Sequence, residues 1–252
     1  MSNNNLFNHV NYDESTTQNN QNAREVHYTT LDAATGTRIF LNRVYNWMFG
    51  GLAITALTAW AVLQNEKVFM TLAQNFMIFI IAELGLVLWL SIGIQKMAAT
   101  TSGVLFFGYA ILNGVTLSPI CYAYTQSSVA IAFGSCALMF GGMSVFGYAT
   151  KQDLSKIGSM AIMALWGIII ASLLNFFFKS EKLTYVLSYV GIAVFVGLTA
   201  YDTQRIKQLA DAYGEDAESE TMKKSAVIGA LTLYLDFINM FLYLLRIFGK
   251  RR

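Results

Sequence analysis

Charge is scarce in this chain. Asp, Glu, Lys and Arg make up 13% of its 252 residues, about half the share found in a soluble domain. The shortage is uneven, because long apolar stretches alternate with short charged ones. A soluble core helix keeps a polar face, and most of these stretches have none. The net charge of +2 is too small to suggest a nucleic-acid partner. Histidine is rarer still: His9 and His27 both precede the first apolar segment. The segments therefore hold no Ser/His pair for an intramembrane serine protease and no imidazole metal site. The last segment has no lysine before Lys250, so a retinal Schiff base is unsupported, and no Walker-type or GxGxxG loop occurs. Enzymatic activity is not expected. The two cysteines, Cys121 and Cys136, suggest neither a disulfide framework nor a metal site, and read as packing residues.

An apolar run is also missing from the start. Residues 1–36 are rich in Asn and Gln and lack the apolar core of a signal peptide. They read as a disordered tail, which leaves the first spanning segment as the targeting signal. The remainder, 37–252, reads as one all-α transmembrane domain of seven helices.

Mean hydropathy over the chain is +0.47. Seven segments of roughly 19–23 residues are long enough to span a bilayer, at about 44–64, 76–95, 102–120, 129–149, 159–178, 183–203 and 226–248. With the N-terminus cytoplasmic, Arg24, Arg38, Arg43, Lys96, Lys151, Lys156, Arg205, Lys207, Lys223 and Lys224 lie inside. Lys67, Lys179 and Lys182 lie outside, which is a clear positive-inside bias. Seven complete spans put Arg246, Lys250, Arg251 and Arg252 outside, against that bias, whereas a re-entrant last segment would keep the terminal basic residues inside. The length of 226–248 favours seven complete spans. The single proline, Pro119, ends or kinks the third span.

Three acids fall within the spans: Glu83, Asp202 and Asp236. Intramembrane acids mark an ion or proton path, or pair with a cation. Asp236 lies 12 residues past Lys224, about 18 Å along a helix and so near mid-membrane. It shares a face with Ser225, Gly229, Thr232, Asn239, Tyr243 and Arg246, on an otherwise apolar helix. Such a stripe faces protein or water. It is either an interhelical hydrogen-bond seam or one wall of an ion path, and a path needs a second acid opposite. Asp202 is the candidate, because the sixth and seventh spans are antiparallel neighbours. Without a partner it would be an interfacial residue beside Arg205. On these boundaries the two acids differ in depth by about 5–10 Å, a gap that tilt could absorb. Two carboxylates in contact cannot both ionise cheaply, so such a pair shares a proton and titrates as a unit. A shared proton clamps the helices, and its loss, or a cation, parts them: a pH-gated pore in outline. Glu83, about 10 Å in from the outer side, either draws cations into an outer vestibule or pairs with an Asn or Tyr. Arg43 and Lys96, at inner span ends, are candidate counter-ions for the aspartates, or snorkel to the headgroups.

The aspartate segments GLTAYDTQRIK (197–207) and LYLDFINMFLYLLRIFG (233–249) resemble the two C-terminal signatures of the Bax inhibitor-1, or transmembrane Bax inhibitor motif, family. GVTLSPI (114–120) is similar to its third-span motif, and FLNRVYNWMFGGLAITALTAW (40–60) looks like the first span of its bacterial members. The likeness covers about 40–250. It implies six helices around a central seventh and a pH-sensitive calcium leak closed on the cytoplasmic side by a hydrogen-bonded aspartate pair. Matched to this sequence, the pair is Asp202 and Asp236, which would meet Ca²⁺ in transit, and Glu83 sits where the family's second span carries a glutamate. Some bacterial relatives carry an arginine cluster at the inner end of the second span. Here that stretch reads SIGIQKMAA and leaves Lys96, so Lys96 or Arg43 would have to substitute. The resemblance implies no tightly bound cofactor. The expected partners are the bilayer, Ca²⁺ and protons. A bacterial inner membrane is favoured over the endoplasmic reticulum or Golgi. Two rival readings are a proton-coupled cation exchanger and a scaffold that restrains other membrane proteins, such as proteases or cell-death regulators.

Overall fold

The computed structural model describes residues 11–213 and 219–252, with side-chain surroundings from residue 34 onward, Gln95 excepted. Among these residues the chain folds into α1 (Asn11–Leu63), α2 (Glu66–Gln74), α3 (Phe76–Gly93), a 3-10 turn (Ile94–Lys96), α4 (Ala99–Tyr122), α5 (Gln126–Ala149), α6 (Ser155–Phe178), α7 (Glu181–Tyr213) and α8 (Glu220–Phe248). Seven helices are long and apolar enough to cross a membrane, α1 through its Ala34–Leu63 part; α2 is the short exception. The seven match the expected spans, with shifted ends. α7 continues past the expected end at 203 because Ile206 and Ala210, four residues apart, both bury against the core.

Of the disordered tail expected over 1–36, residues 1–10 lie outside the described residues. From Asn11 the backbone is helical. Apart from Gly36 this stretch has no helix breaker, and extending a formed helix costs far less than starting one.

α8 lies deepest. Buried residues make up 67% of its most apolar stretch, against 6% for α3, so α3 turns its apolar surface to lipid. The main neighbours of α8 are α1, α4, α5 and α7, while α3 packs on α4 and α6 on α7. In its main contacts, α8 is therefore surrounded by four helices. One point of close approach shows how small residues permit this. A Cβ at Gly147 on α5 would come 2.2 Å from the Ala200 carbonyl oxygen of α7, so the two backbones meet where no side chain fits.

Pro119 neither ends α4 nor leaves a carbonyl stranded, for the helix continues to Tyr122. Proline cannot donate to the carbonyl four residues back, and the Ser118 hydroxyl donates to that same Val115 oxygen at 2.8 Å. The start of α4 is capped from a distance: Ala99 N–H donates to the Glu220 carboxylate, on the first turn of α8, at 2.5 Å.

The last helix is long and apolar enough to cross completely. Its 29 residues span about 43 Å, more than the ~30 Å hydrocarbon core. Beyond it the chain docks on the α4–α5 turn. Thr125 N–H donates to the Lys250 carbonyl (3.0 Å), Arg252 N–H to the Ala123 carbonyl (3.0 Å) and Lys250 N–H to the Ser128 hydroxyl (2.9 Å). The C-terminus thus lies at the α4–α5 end of the bundle, and the re-entrant alternative does not hold. Gly147→Val should lower the Tm of detergent-solubilised protein, at a cost of about 1–3 kcal/mol from forced separation of α5 and α7. Gly142→Ala, where an added Cβ meets nothing within 4 Å, should leave it unchanged.

Candidate functional site

The polar stripe of α8 faces an open-sided cavity of about 590 Å³ lined by α6, α7 and α8. Thr232, Asp236, Asn239 and Tyr243 reach it from α8, and Tyr201, Asp202 and Arg205 from α7. The far wall is α6, with Ile162, Leu165, Ile168 and Ile169, and Ser172 as its one polar residue. The stripe forms because positions 232, 236, 239 and 243 repeat at the helical period. α7 and α8 are antiparallel neighbours, which brings Asp202 to the same level.

The two carboxyl groups meet, within hydrogen-bonding reach of each other. Asp236 is 4% exposed, and no donor among the described residues reaches its Oδ2. Two carboxylates have no hydrogen between them, so a proton on one acid is what makes this contact a bond. The other stripe residues do not supply it. Thr232 donates to its own helix at Ile228 O (3.1 Å), and the Asn239 amide donates to Leu235 O (2.8 Å).

The nearby cation is Arg205, one turn beyond Asp202 on the same helix and close enough to act on it electrostatically. Neither expected counter-ion lines this cavity. Arg43 lines a separate hollow with Ile39, Asn42, Asn46, Trp47 and Phe107, and Lys96 is exposed in the 3-10 turn. Each is held at the end of its own span, on α1 or after α3, and neither element lines the cavity.

Gln204 was not foreseen from sequence. Its side chain is 7% exposed and ties α7 to the α5–α6 connection. Its Oε1 accepts from Leu154 N–H (2.9 Å) and its Nε2 donates to Gln152 O (2.7 Å). Lys207 Nζ donates to Tyr148 O (2.9 Å) on the same side. These bonds fix the C-terminal part of the helix that carries Asp202 to α5 and the α5–α6 connection. A buried amide two residues after an intramembrane acid was the available signal.

Glu83 is placed elsewhere, between α3 and α4, and three donors meet it. Tyr109 Oη donates at 3.4 Å and Thr116 Oγ1 at 2.7 Å, and the Asn113 amide donates to the same carboxylate. Positions 109, 113 and 116 follow the i, i+4, i+7 rhythm of one α4 face, the sequence signal that would have found them. Of the two roles weighed for Glu83, pairing with Asn and Tyr is the one seen. The cluster continues inward, where Tyr234 stacks edge-on against Tyr109 at 5.8 Å and bonds Thr55 at 2.7 Å.

A bundle of seven membrane-crossing helices with two acids in contact in an internal cavity defines a polytopic membrane protein with an intramembrane titratable site. Which such protein follows from comparison. The family described as inhibitor of apoptosis-promoting Bax1 matches residues 37–252. The chain belongs to this family, the Bax inhibitor-1 family. It is 49% identical over 220 residues to the inner membrane protein YbhL of Escherichia coli K12, covering 86% of this chain and 94% of the relative. It is 46% identical over 216 residues to a protein of Borreliella burgdorferi, covering 84% and 92%. It is 37% identical over 228 residues to a membrane protein of Streptococcus pyogenes, covering 88% and 96%.

Glu83→Ala would remove the shared acceptor of Tyr109 and Asn113 in a buried site, while Thr116 could still donate to Asn113 O at 2.9 Å. The expected loss is about 1–3 kcal/mol, read as a lower Tm. Glu83→Gln keeps an acceptor and should lose less. Equal loss in both variants would show that α4 does not depend on these bonds.

Proposed function

We propose that the protein passively conducts Ca²⁺ across its membrane and that protonation of the Asp202–Asp236 pair gates the path. The observation that carries this reading is the contact of the two acids in a cavity also lined by Thr232, Asn239 and Tyr243. While one proton is shared, the carboxyls hold α7 against α8. Its loss leaves two negative charges in one cavity, which repel each other and attract a cation. Ca²⁺ takes six to eight oxygen ligands. Two aspartates supply at most four, so an ion here keeps part of its water and passes on rather than staying. Arg205 at the rim limits the attraction until the pair ionises.

The N-terminus is proposed to be cytoplasmic, in a bacterial inner membrane. The positive-inside bias of the connecting segments supports that orientation, and the likeness to YbhL supports the membrane. The Asp pair then lies toward the cytoplasmic end of α7. Glu83, with its three donors, serves to hold α3 to α4 rather than to draw in cations.

In proteoliposomes, calcium flux through the wild type should rise with pH as the pair loses its proton, by no more than tenfold per pH unit for a single proton. Asp202→Asn and Asp236→Asn each supply a permanent amide donor to the remaining acid, so flux should stay low and flat across pH. Unaltered flux and pH profile in both variants would overturn the proposal and favour a role in restraining other membrane proteins. Proton counter-transport in fixed ratio to Ca²⁺ would instead identify an exchanger.

A further inference from the structure

A second cavity, of about 600 Å³, lies on the opposite face of α8, among α1, α4, α5 and α8. Its walls are apolar, with Leu52, Leu117, Val129, Phe133, Phe237 and Phe241 among them. At one end stand Gln64, Tyr122, Gln126 and Arg252, at the terminus of α1, the end of α4, the start of α5 and the docked C-terminal tail. Polar groups therefore collect at one end of the bundle, and the apolar walls run inward from them. From Gln64 to Leu52 is 12 residues, about 18 Å of helix. The one polar wall residue at depth, Thr55, spends its hydroxyl on Ala110 O (2.9 Å) and Tyr234 (2.7 Å), so the interior offers an occupant no polar partner.

Arg252 is held at the mouth by structure. Its N–H donates to Ala123 O, and its guanidinium lies over the Tyr122 ring at 5.6 Å. Lys250 and Arg251 adjoin it, and no acidic side chain among the described residues lines the cavity. A long apolar slot that opens beside a fixed guanidinium at the membrane surface matches a molecule with a hydrocarbon chain and an anionic head. Each buried methylene favours the chain by about 0.8 kcal/mol, and an Arg fork suits a phosphate.

We propose that this crevice is a binding site for an anionic phospholipid of the surrounding bilayer. One acyl chain lies between α1, α4, α5 and α8, and the phosphate lies at Arg252. The chain would rest on Phe237 and Phe241, so the lipid would brace the face of α8 turned away from Asp236.

Native mass spectrometry of the full-length protein in detergent tests this, with phosphatidylglycerol and phosphatidylcholine added separately at equal concentration, alongside a thermal melt. Phosphatidylglycerol should bind one to one and raise the Tm, while phosphatidylcholine and inorganic phosphate should do neither. Arg252→Glu, a change at an exposed position, should weaken phosphatidylglycerol binding about tenfold or more, the worth of one charge-assisted hydrogen bond. Ala130→Phe, which fills the crevice from its open side, should abolish it. Equal retention of the two lipids by the wild type, or unchanged binding in Arg252→Glu, would overturn the proposal.

Discussion

A carboxyl group inside the hydrocarbon must find a proton, a donor or water, because each alternative costs several kcal/mol. α8 buries Asp236 at a point where α7 presents another acid and no donor among the described residues reaches Oδ2. The rest of the bundle serves that contact. α1, α4, α5 and α7 pack around α8 and fix its rotation, so the stripe 232–243 faces the cavity. Gln204 holds the C-terminal part of α7 to the α5–α6 connection and Lys207 holds it to α5, which sets the level of Asp202.

The two intramembrane acid sites solve the same problem in opposite ways. Glu83 receives three donors from neutral side chains whose hydrogens are always present. Its hydrogen bonds do not depend on a proton from solution, and the α3–α4 contact is correspondingly fixed. Asp236 meets an acid, and the bond between them exists only while a proton is shared. The first arrangement is suited to holding helices together, the second to releasing them. Residue type alone does not separate the two, since both are single carboxylates in apolar helices. The neighbours do.

The sequence carried what repeats along a single helix. Seven spans were legible because hydropathy accumulates over about 20 residues, and the stripe through Asp236 because 232, 236, 239 and 243 follow one helical period. The meeting of Asp202 and Asp236 was legible for a topological reason: consecutive spans must run antiparallel and lie close, and the crude depth mismatch of 5–10 Å was closed by packing. What crosses between non-consecutive helices was not legible. That Arg43 and Lys96 lie away from the cavity belongs here, whereas Arg205, three residues from Asp202 on α7, was already beside it in the sequence. Glu220 capping α4 across 121 residues of sequence belongs to the same class. The helical backbone from Asn11 was missed because composition argued for disorder while the adjoining span offered a ready nucleus.

The basic C-terminus shows which force sets topology here. Lys250, Arg251 and Arg252 sit at the α4–α5 end of the bundle, against the bias of the connecting segments, and that bias alone would draw α8 back. Two things oppose it. Earlier loops carry most of the orienting charge and act first. α8 also gains more by crossing, since its apolar length is buried among four helices rather than exposed, and a re-entrant path would leave backbone groups unsatisfied at membrane depth. The crossing then delivers the tail to the α4–α5 turn, where two backbone bonds and one to the Ser128 hydroxyl hold it. Arg252 is thereby held at the mouth of an apolar crevice. Charges that do not serve to orient the chain are free to serve recognition, and the geometry at Arg252 is that of a site for an anion at the membrane surface.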